Sequence, residues 1–349
     1  MRWALIVAVG LPAALAIMLL IAKIGAGDAE RSLRWLRYVL LADLLALLIM
    51  CAVGYAYETR ARARDAKLYQ PPGRLIDVGG YHLHLNCAGE GGPTVVLDYG
   101  LEGSYLDWDR VQPEIARFVR VCSYDRAGYG WSEASPRARV PSAMSEELHT
   151  LLHTAGEKAP YIIVAHSYGS VVGQMFAHKF PNETAGLVLV DGMNLPSSPA
   201  FPLNHRLWLR SLQWTVPFGL PRRRHWCGGG SSDMRRSAEA ANCRSRVFAA
   251  YYREWSQMSQ SAAEIRAITS LGTVPLIVIS RDPTRGHDAS EEARHTQQQH
   301  DALNLSSNSR LIAAEGSGHN IPGERPEVVI EAVRSLVRPP AAAGSQETP

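Results

Sequence analysis

The chain has 349 residues, of which 46% are hydrophobic and 20% are charged, and its formal net charge is +3. This length suffices for one large folded domain and a smaller additional part, and the small net charge argues against a nucleic-acid partner. No Cys-x-x-Cys pair occurs among the five cysteines, so neither a zinc knuckle nor a thioredoxin-like redox site is expected.

Two apolar runs lie close to the N-terminus, over residues 3–24 and 38–57. Each is about as long as a helix that crosses a ~30 Å hydrocarbon layer, which takes roughly 20 residues. The first run is alternatively a secretory signal peptide, because Met1-Arg2 forms a minimal positive segment before it. Since the run is long and a second one follows, the sequence favours a transmembrane helical hairpin. Residues 1–57 are therefore expected to contact the membrane, and residues 1–69 to form two helices and a juxtamembrane linker.

The side of the membrane on which the rest of the chain lies stays open. Basic residues are about as frequent between the two runs as beside them, so the positive-inside rule gives a near tie. They are Lys23, Arg31, Arg34 and Arg37 between the runs, and Arg2, Arg60, Arg62, Arg64 and Lys67 in the flanks. Pro71 and Pro72 then end any helix, which predicts a folded domain over residues 70–338.

The cysteines fall into two groups. Cys51 lies in the second apolar run and Cys87 and Cys122 lie in strand-like segments, so these three are expected to be buried free thiols. Cys227 and Cys243 flank a Gly/Ser-rich stretch, and the sequence leaves their state open. A disulfide between them would imply an oxidising compartment and so favour the extracytoplasmic side.

Strand-like and helix-like patterns alternate from residue 74 onward. A turn at Gly79-Gly80 predicts a hairpin of two short strands. Buried strands are predicted over residues 94–100, 119–125, 161–167, 185–192, 274–280 and within 309–320, and helices over 143–156, 168–180 and 325–337. This order indicates an α/β fold with a mainly parallel, doubly wound sheet that is covered on both faces.

The alternation stops between residues 193 and about 271. This stretch is rich in Trp, Arg and Pro and has helical fragments, so we expect a helical cap inserted over the sheet. Its short cluster of arginines at residues 222–224 is expected to be solvated or to face lipid headgroups. The tail over residues 339–349 is expected to be disordered.

A predicted strand runs directly into a helix at Ala165-His166-Ser167-Tyr168-Gly169. Small neighbours permit a tight turn that exposes a serine hydroxyl above the sheet, as in the nucleophile elbow Gly-x-Ser-x-Gly. Ala165 stands where the first glycine is usual, and we expect the facing helix to stand off slightly to accommodate its methyl group. Ser167 is therefore the candidate nucleophile.

A serine hydroxyl becomes a good nucleophile when a base takes its proton. His319 lies in a loop of small residues between the last strand and the final helix, where the chain order serine, acid, histidine requires the base. Two carboxylates remain open as the acid that orients the imidazole. Asp282, just past a strand end, is favoured, and Asp191, just past the preceding strand, is the alternative; Asp288 and Glu291 lie in the same loop as Asp282.

An oxyanion that forms at the substrate carbonyl requires two backbone N–H groups. Tyr168, directly after the nucleophile, should supply one of them. Leu101, in the loop after the strand of residues 94–100, should supply the other, with Gly100 permitting the turn.

These motifs resemble the α/β-hydrolase superfamily across residues 73–337, in particular a bacterial subgroup with N-terminal hydrophobic segments. The segment YDRAGYGWS at residues 124–132 is similar to the D-x-R-G-x-G-x-S segment that follows the fourth strand of that fold. The resemblance implies the α/β-hydrolase fold, an ester, lactone or similar acyl substrate, and no cofactor or metal. Serine at the elbow differs from epoxide hydrolases and haloalkane dehalogenases, which carry aspartate there.

The function expected from the sequence is a membrane-anchored serine hydrolase, placed by the resemblance in a bacterial inner membrane. It would cleave a carboxylic ester or related acyl substrate through an acyl-enzyme on Ser167. The membrane segments suggest a lipid-like substrate as well as a small molecule. Alternatives are an acyltransferase or perhydrolase with the same triad, or a binding module that has lost its chemistry.

Overall fold

The computed structural model describes residues 29–193, 203–228, 232–286 and 288–337. Its first element is a long helix, α1 (Ala29–Leu68), which is followed by a domain built on one sheet of eight strands. The first apolar run, over residues 3–24, and the tail over residues 339–349 lie outside the described residues.

The sheet has the strand order β1-β2-β4-β3-β5-β6-β7-β8. Its strands are β1 (Arg74–Asp77), β2 (His82–Ala88), β3 (Thr94–Asp98), β4 (Val121–Tyr124), β5 (Tyr161–His166), β6 (Thr184–Val190), β7 (Leu276–Arg281) and β8 (Ser309–Ala314). The pairs β1/β2 and β2/β4 are antiparallel and all the others are parallel. The predicted mainly parallel sheet is therefore confirmed, and β1 and β2 form the predicted hairpin around Gly79-Gly80.

Helices cover both faces of this sheet. Outside the segment between β6 and β7 they are α2 (Gln112–Ile115), α3 (Pro141–Ala155), α4 (Gly169–Lys179), α10 (Ala289–Ala302), α11 (Ile321–Glu324) and α12 (Pro326–Val337). Between β6 and β7 the described chain forms α5 (Leu203–Thr215), α6 (Leu220–Arg223), α7 (Ser232–Asn242), α8 (Ser245–Ser256) and α9 (Met258–Arg266). We call these five helices, with the described residues that join them, the cap.

The core consists of two apolar layers, one on each face of the sheet. Neighbouring residues of a central strand point to opposite faces, so Ile162 of β5 packs in the layer with α12, and Ile163 packs in the layer with α3 and α4. Both side chains are fully buried. The continuous apolar runs of these strands thus reflect burial on both faces, as is typical of parallel sheets.

Helix α1 is continuous over 40 residues, which makes it about 60 Å long. By length and composition it is able to cross a membrane within Leu33–Leu68. The expected loop between two membrane segments is wrong in its position, because Arg31, Arg34 and Arg37 already lie in the helix. The juxtamembrane stretch, which the sequence leaves open as a helix or a linker, is helical up to Leu68. The hairpin itself is not shown, since its first half lies outside the described residues.

Four of the five cysteines form two disulfides, Cys87–Cys122 and Cys227–Cys243. The prediction of free thiols at Cys87 and Cys122 is wrong, because the antiparallel register of β2 and β4 places these two residues directly opposite each other. Cys51 in α1 has a free thiol, as expected, but it is only half-buried and not buried as predicted.

Candidate active site

Ser167 lies in the turn between β5 and α4, and its φ of +51° is a left-handed conformation that is rare for residues with a Cβ atom. Two glycines make this turn possible. A Cβ atom on Gly169 would lie 2.7 Å from the carbonyl oxygen of Asp98. A Cβ atom on Gly100 would lie 2.9 Å from Ser167 Cβ. The absence of both side chains therefore brings the loop after β3 against the serine.

The alanine at the start of the elbow is accommodated by a glycine on the facing helix. A Cβ atom on Gly173 of α4 would lie 3.0 Å from the Cβ atom of Ala165, which is fully buried. The methyl group of Ala165 thus occupies space that a side chain at position 173 would need. The helix remains close to the strand, and a missing side chain, not the expected displacement of the helix, provides the room.

His319 lies in the loop between β8 and α11, and its ring joins two side chains from other loops. Its Nε2 atom is 3.0 Å from Ser167 Oγ, and its Nδ1 atom is 2.5 Å from Asp191 Oδ2. The structure therefore brings the predicted nucleophile and base together. The His319 side chain is 51% exposed, so the ring is open to a substrate on one side.

Asp191 follows β6 and is completely buried, with four N–H donors directed at its carboxylate. Besides His319, they are His295 Nε2 on α10 at 2.7 Å from Oδ1, Arg281 Nη1 at 3.1 Å from Oδ2, and the Arg281 amide at 3.2 Å from Oδ1. Burial alone raises the pKa of this carboxyl, but hydrogen bonds from His295 and His319 outweigh burial and hold the pKa well below its usual value. These donors therefore stabilise the ionised form of Asp191.

The prediction that Asp282 is the partner of His319 is wrong, because the His319 ring contacts Asp191. Both carboxylate oxygens of Asp282 are used locally: Oδ1 accepts hydrogen bonds from the amide and hydroxyl of Thr284, and Oδ2 accepts one from the Gly316 amide. These bonds turn Asp282 away from the imidazole. Asp288, another candidate in this loop, caps the N-terminus of α10. Glu291 lies in the exposed first turn of the same helix.

His166, directly before the nucleophile, holds the loop that carries His319. Burial lowers the pKa of His166 to about 3, so its ring is neutral. Its Nε2 atom donates a hydrogen bond of 2.8 Å to the carbonyl oxygen of His319. The ring also packs against Tyr99, with the centroids 4.4 Å apart, and Tyr99 donates a hydrogen bond to Asn320, the residue after His319.

Arg126 binds the backbone of the loop after β3. Its guanidinium group pairs with Asp98 at 2.7 Å and donates hydrogen bonds to the carbonyl oxygens of Tyr99 and Gly100. It also pairs with Glu254 of the cap at 3.1 Å, and it is almost fully buried. The segment of residues 124–132 thus contributes a cation that connects the loop beside the nucleophile to the cap.

The amides of Tyr168 and Leu101 are the predicted donors to an oxyanion. Tyr168 is the first residue after Ser167 and precedes α4, and Leu101 follows Gly100 in the loop that Arg126 holds. Within the described part of the chain, neither amide donates a backbone hydrogen bond. Both N–H groups therefore remain the predicted donors to an oxyanion.

A cavity of about 500 Å³ lies beside this constellation, between the cap and the loop after β3. It is lined by the residues that follow Leu101 and His319 in the chain, Glu102 and Asn320, and by cap side chains that include Trp226. The side chains of Ser167, His319 and Asp191 are not part of this lining, so the cavity adjoins the loops that carry the site and not the nucleophile itself.

Sequence reasoning did not identify four residues of this constellation: His166, His295, Arg281 and Arg126. His295 is an isolated histidine in the middle of a helix, and no local pattern distinguishes it from a surface residue. Arg126 lies within the recognised segment of residues 124–132 and His166 within the motif around Ser167, so a motif was available as a signal for these two residues.

A comparison with known proteins agrees with the fold. The model of the alpha/beta hydrolase family matches residues 88–332. The uncharacterized protein YqjL of Bacillus subtilis is 28% identical over 255 residues, which cover 73% of this chain and 87% of that protein. An AB hydrolase superfamily protein of Gibberella zeae is 26% identical over 281 residues, which cover 70% of this chain and 86% of that protein.

A solved structure of a thermophilic esterase from Thermogutta terrifontis is also similar. It superposes with a TM-score of 0.56 and 22% identity, and covers 76% of this chain and 96% of the esterase chain. At this identity the likeness shows the fold alone.

Proposed function

The chain belongs to the alpha/beta hydrolase family, and from this membership we propose that it is a serine hydrolase that forms an acyl-enzyme on Ser167. Its substrate is a carboxylic ester or a related acyl compound. The observation that carries the proposal is the unbroken series of hydrogen bonds from Ser167 through His319 to Asp191. Such a series lets a neutral imidazole accept the serine proton while a carboxylate stabilises the imidazolium that forms.

The proposed reaction has two steps. His319 Nε2 takes the Ser167 proton as the serine oxygen attacks the substrate carbonyl, and the amides of Tyr168 and Leu101 bind the resulting oxyanion. His319 then protonates the leaving alcohol, the C–O bond breaks, and an acyl-enzyme remains. A water molecule then attacks the acyl carbon while His319 takes its proton, the bond between that carbon and Ser167 Oγ breaks, and His319 returns the proton to Ser167 as the carboxylic acid is released. No cofactor is required.

We further propose that α1 anchors the enzyme in a membrane and that the catalytic domain lies in an oxidising compartment. The length and apolar composition of α1 support the anchor. The two disulfides, Cys87–Cys122 and Cys227–Cys243, support the extracytoplasmic side, because thiols on the cytosolic side are kept reduced.

A fluorophosphonate probe tests the proposal on the full-length protein in detergent. Wild-type protein should become labelled, and Ser167→Ala should abolish labelling, while His319→Ala should slow it by several orders of magnitude. Ser170→Ala is a matched control, because Ser170 is a buried serine at the start of α4 and contacts a backbone carbonyl, not His319. Folded wild-type protein that takes up no label, or Ser170→Ala protein that loses it, would contradict the proposal.

A further inference from the structure

The C-terminal part of α1 packs tightly against the cap. A Cβ atom on Gly54 would lie 2.6 Å from the carbonyl oxygen of Phe218. A Cβ atom on Gly219 would lie 2.8 Å from Cδ1 of Tyr57. The helix and the turn before α6 therefore touch along their backbones, at the end of the apolar part of α1.

A buried ion-pair network extends this contact. Arg222 of the cap pairs with Glu58 at 3.0 Å and with Asp65 at 2.7 Å, and all three side chains are at most 4% exposed. Removing the partners of a buried arginine leaves an uncompensated buried charge, which strongly destabilises the folded protein. The network therefore holds the cap in one orientation relative to the axis of α1, and Arg222 is not the surface residue that the sequence suggested.

The cap surface next to this contact is both apolar and cationic. Besides the buried Arg222, residues 203–228 include four arginines and three tryptophans but no aspartate or glutamate. The Trp214 side chain is 78% exposed and that of Leu207 is 59% exposed. Arg223 and Arg224 are exposed as well. Monomeric soluble proteins rarely expose tryptophan and leucine side chains together in this way.

We propose that this cap surface, residues 203–226, lies on the headgroup layer of an anionic bilayer where α1 leaves the membrane. Tryptophan is favoured at the membrane–water boundary, and arginine near the surface attracts anionic headgroups. The rigid contact with α1 is what points the surface at the bilayer. The inference rests on the proposed membrane span of α1, and on the proposed hydrolase activity for its consequence below.

The same orientation places the cavity beside the active site at the membrane surface. Trp226 belongs to the cap surface and also lines the cavity, and it is partly exposed. An acyl ester dissolved in the bilayer would then enter the cavity past Trp226. The preferred substrate class is therefore a lipid-borne ester with an apolar chain.

Quenching of tryptophan fluorescence tests the docking without any activity. The full-length protein is placed in vesicles of phosphatidylcholine and phosphatidylglycerol that carry brominated acyl chains. Trp214→Phe should remove part of the fluorescence that the bromine atoms quench. Trp131→Phe, a matched change in the catalytic domain, should remove only fluorescence that they do not quench. If Trp214→Phe leaves the quenched amplitude unchanged, the cap does not lie on the bilayer.

The rate of ester hydrolysis tests the predicted preference for a lipid-borne ester. We expect Arg223→Gln to lower, by about fivefold, the ratio of the rate on a long-chain ester in these vesicles to the rate on a short water-soluble ester. Arg117→Gln, a change at a side chain that is 74% exposed elsewhere, should leave the ratio unchanged. An unchanged ratio in Arg223→Gln overturns the inference. A dimer in detergent that Trp214→Gln converts to monomers also overturns it, because the cap surface would then contact a second copy of the chain and not the bilayer. Wild-type protein that hydrolyses neither ester contradicts the proposed function instead, while the quenching experiment still reports docking.

Discussion

The identity of the acid that orients His319 is open to a direct test, in which Asp191→Asn is compared with Asp282→Asn. An asparagine at position 191 keeps the shape of the side chain but offers one acceptor atom in place of two. At least two of the four donors directed at this carboxylate then lack an acceptor, at a cost of about 1–3 kcal/mol each in the free energy of unfolding. The asparagine also leaves the imidazole in the wrong tautomer, so kcat should fall by about 10⁴-fold.

Asp282→Asn leaves one acceptor oxygen for the donors of Thr284 and Gly316, so it should lower the stability less than Asp191→Asn does and leave kcat close to that of wild type. The assay is kcat and KM on a water-soluble ester, with denaturant unfolding of the same full-length samples to exclude misfolding. A large loss of kcat in Asp282→Asn together with near-normal kcat in Asp191→Asn would refute the geometric reasoning.

Three further outcomes follow from the structure. Burial lowers the pKa of His166 from 6.5 to about 3 on folding, so the unfolded chain binds a proton at His166 between these pH values and the folded protein does not. The free energy of unfolding should therefore fall by about 1.4 kcal/mol per pH unit from pH 6.5 toward pH 3. His166→Gln should lower this slope, as denaturant titrations at several pH values would show. Gly173→Ala should destabilise the protein by about 1–3 kcal/mol, and Ala165→Gly in the same chain should restore part of the loss, as a double-mutant cycle would show. Maleimide labelling of the denatured, non-reduced protein should modify Cys51 alone, as counted by mass spectrometry, whereas modification of all five cysteines would contradict the disulfides and the extracytoplasmic side.

The parts of the molecule that sequence predicted well depend on local patterns. The turn that carries Ser167 combines an apolar strand, small residues and a mainly apolar helix within about 20 consecutive positions, and each of these is visible in the sequence. His319 was predictable from its place after the last strand. The parallel sheet likewise follows from alternating strands and helices, since such connections leave few arrangements.

The parts that sequence predicted poorly depend on register and on competition between partners. Cys87 and Cys122 meet because of the pairing of β2 with β4, which no local pattern specifies. Arg222 is buried because Glu58 and Asp65, which lie more than 150 positions earlier, are brought against it. A triplet of arginines without visible partners is indistinguishable from a solvated cluster until the fold is known.

The choice between Asp191 and Asp282 as the partner of His319 also depends on competition between hydrogen-bond partners. Both follow a strand of one parallel sheet, so both emerge at the same edge, and neighbouring strands lie about 5 Å apart. Asp282 is committed to its own turn and to the Gly316 amide, at the base of the loop that ends in His319. Asp191 keeps an oxygen for the ring itself. The two carboxylates therefore contact opposite ends of the loop: Asp282 binds its start, and Asp191 orients the imidazole of His319 at its end. Replacing Asp282 with alanine should accordingly loosen the loop and raise KM and lower kcat modestly, whereas no change at Asp282 should shift the tautomer of His319.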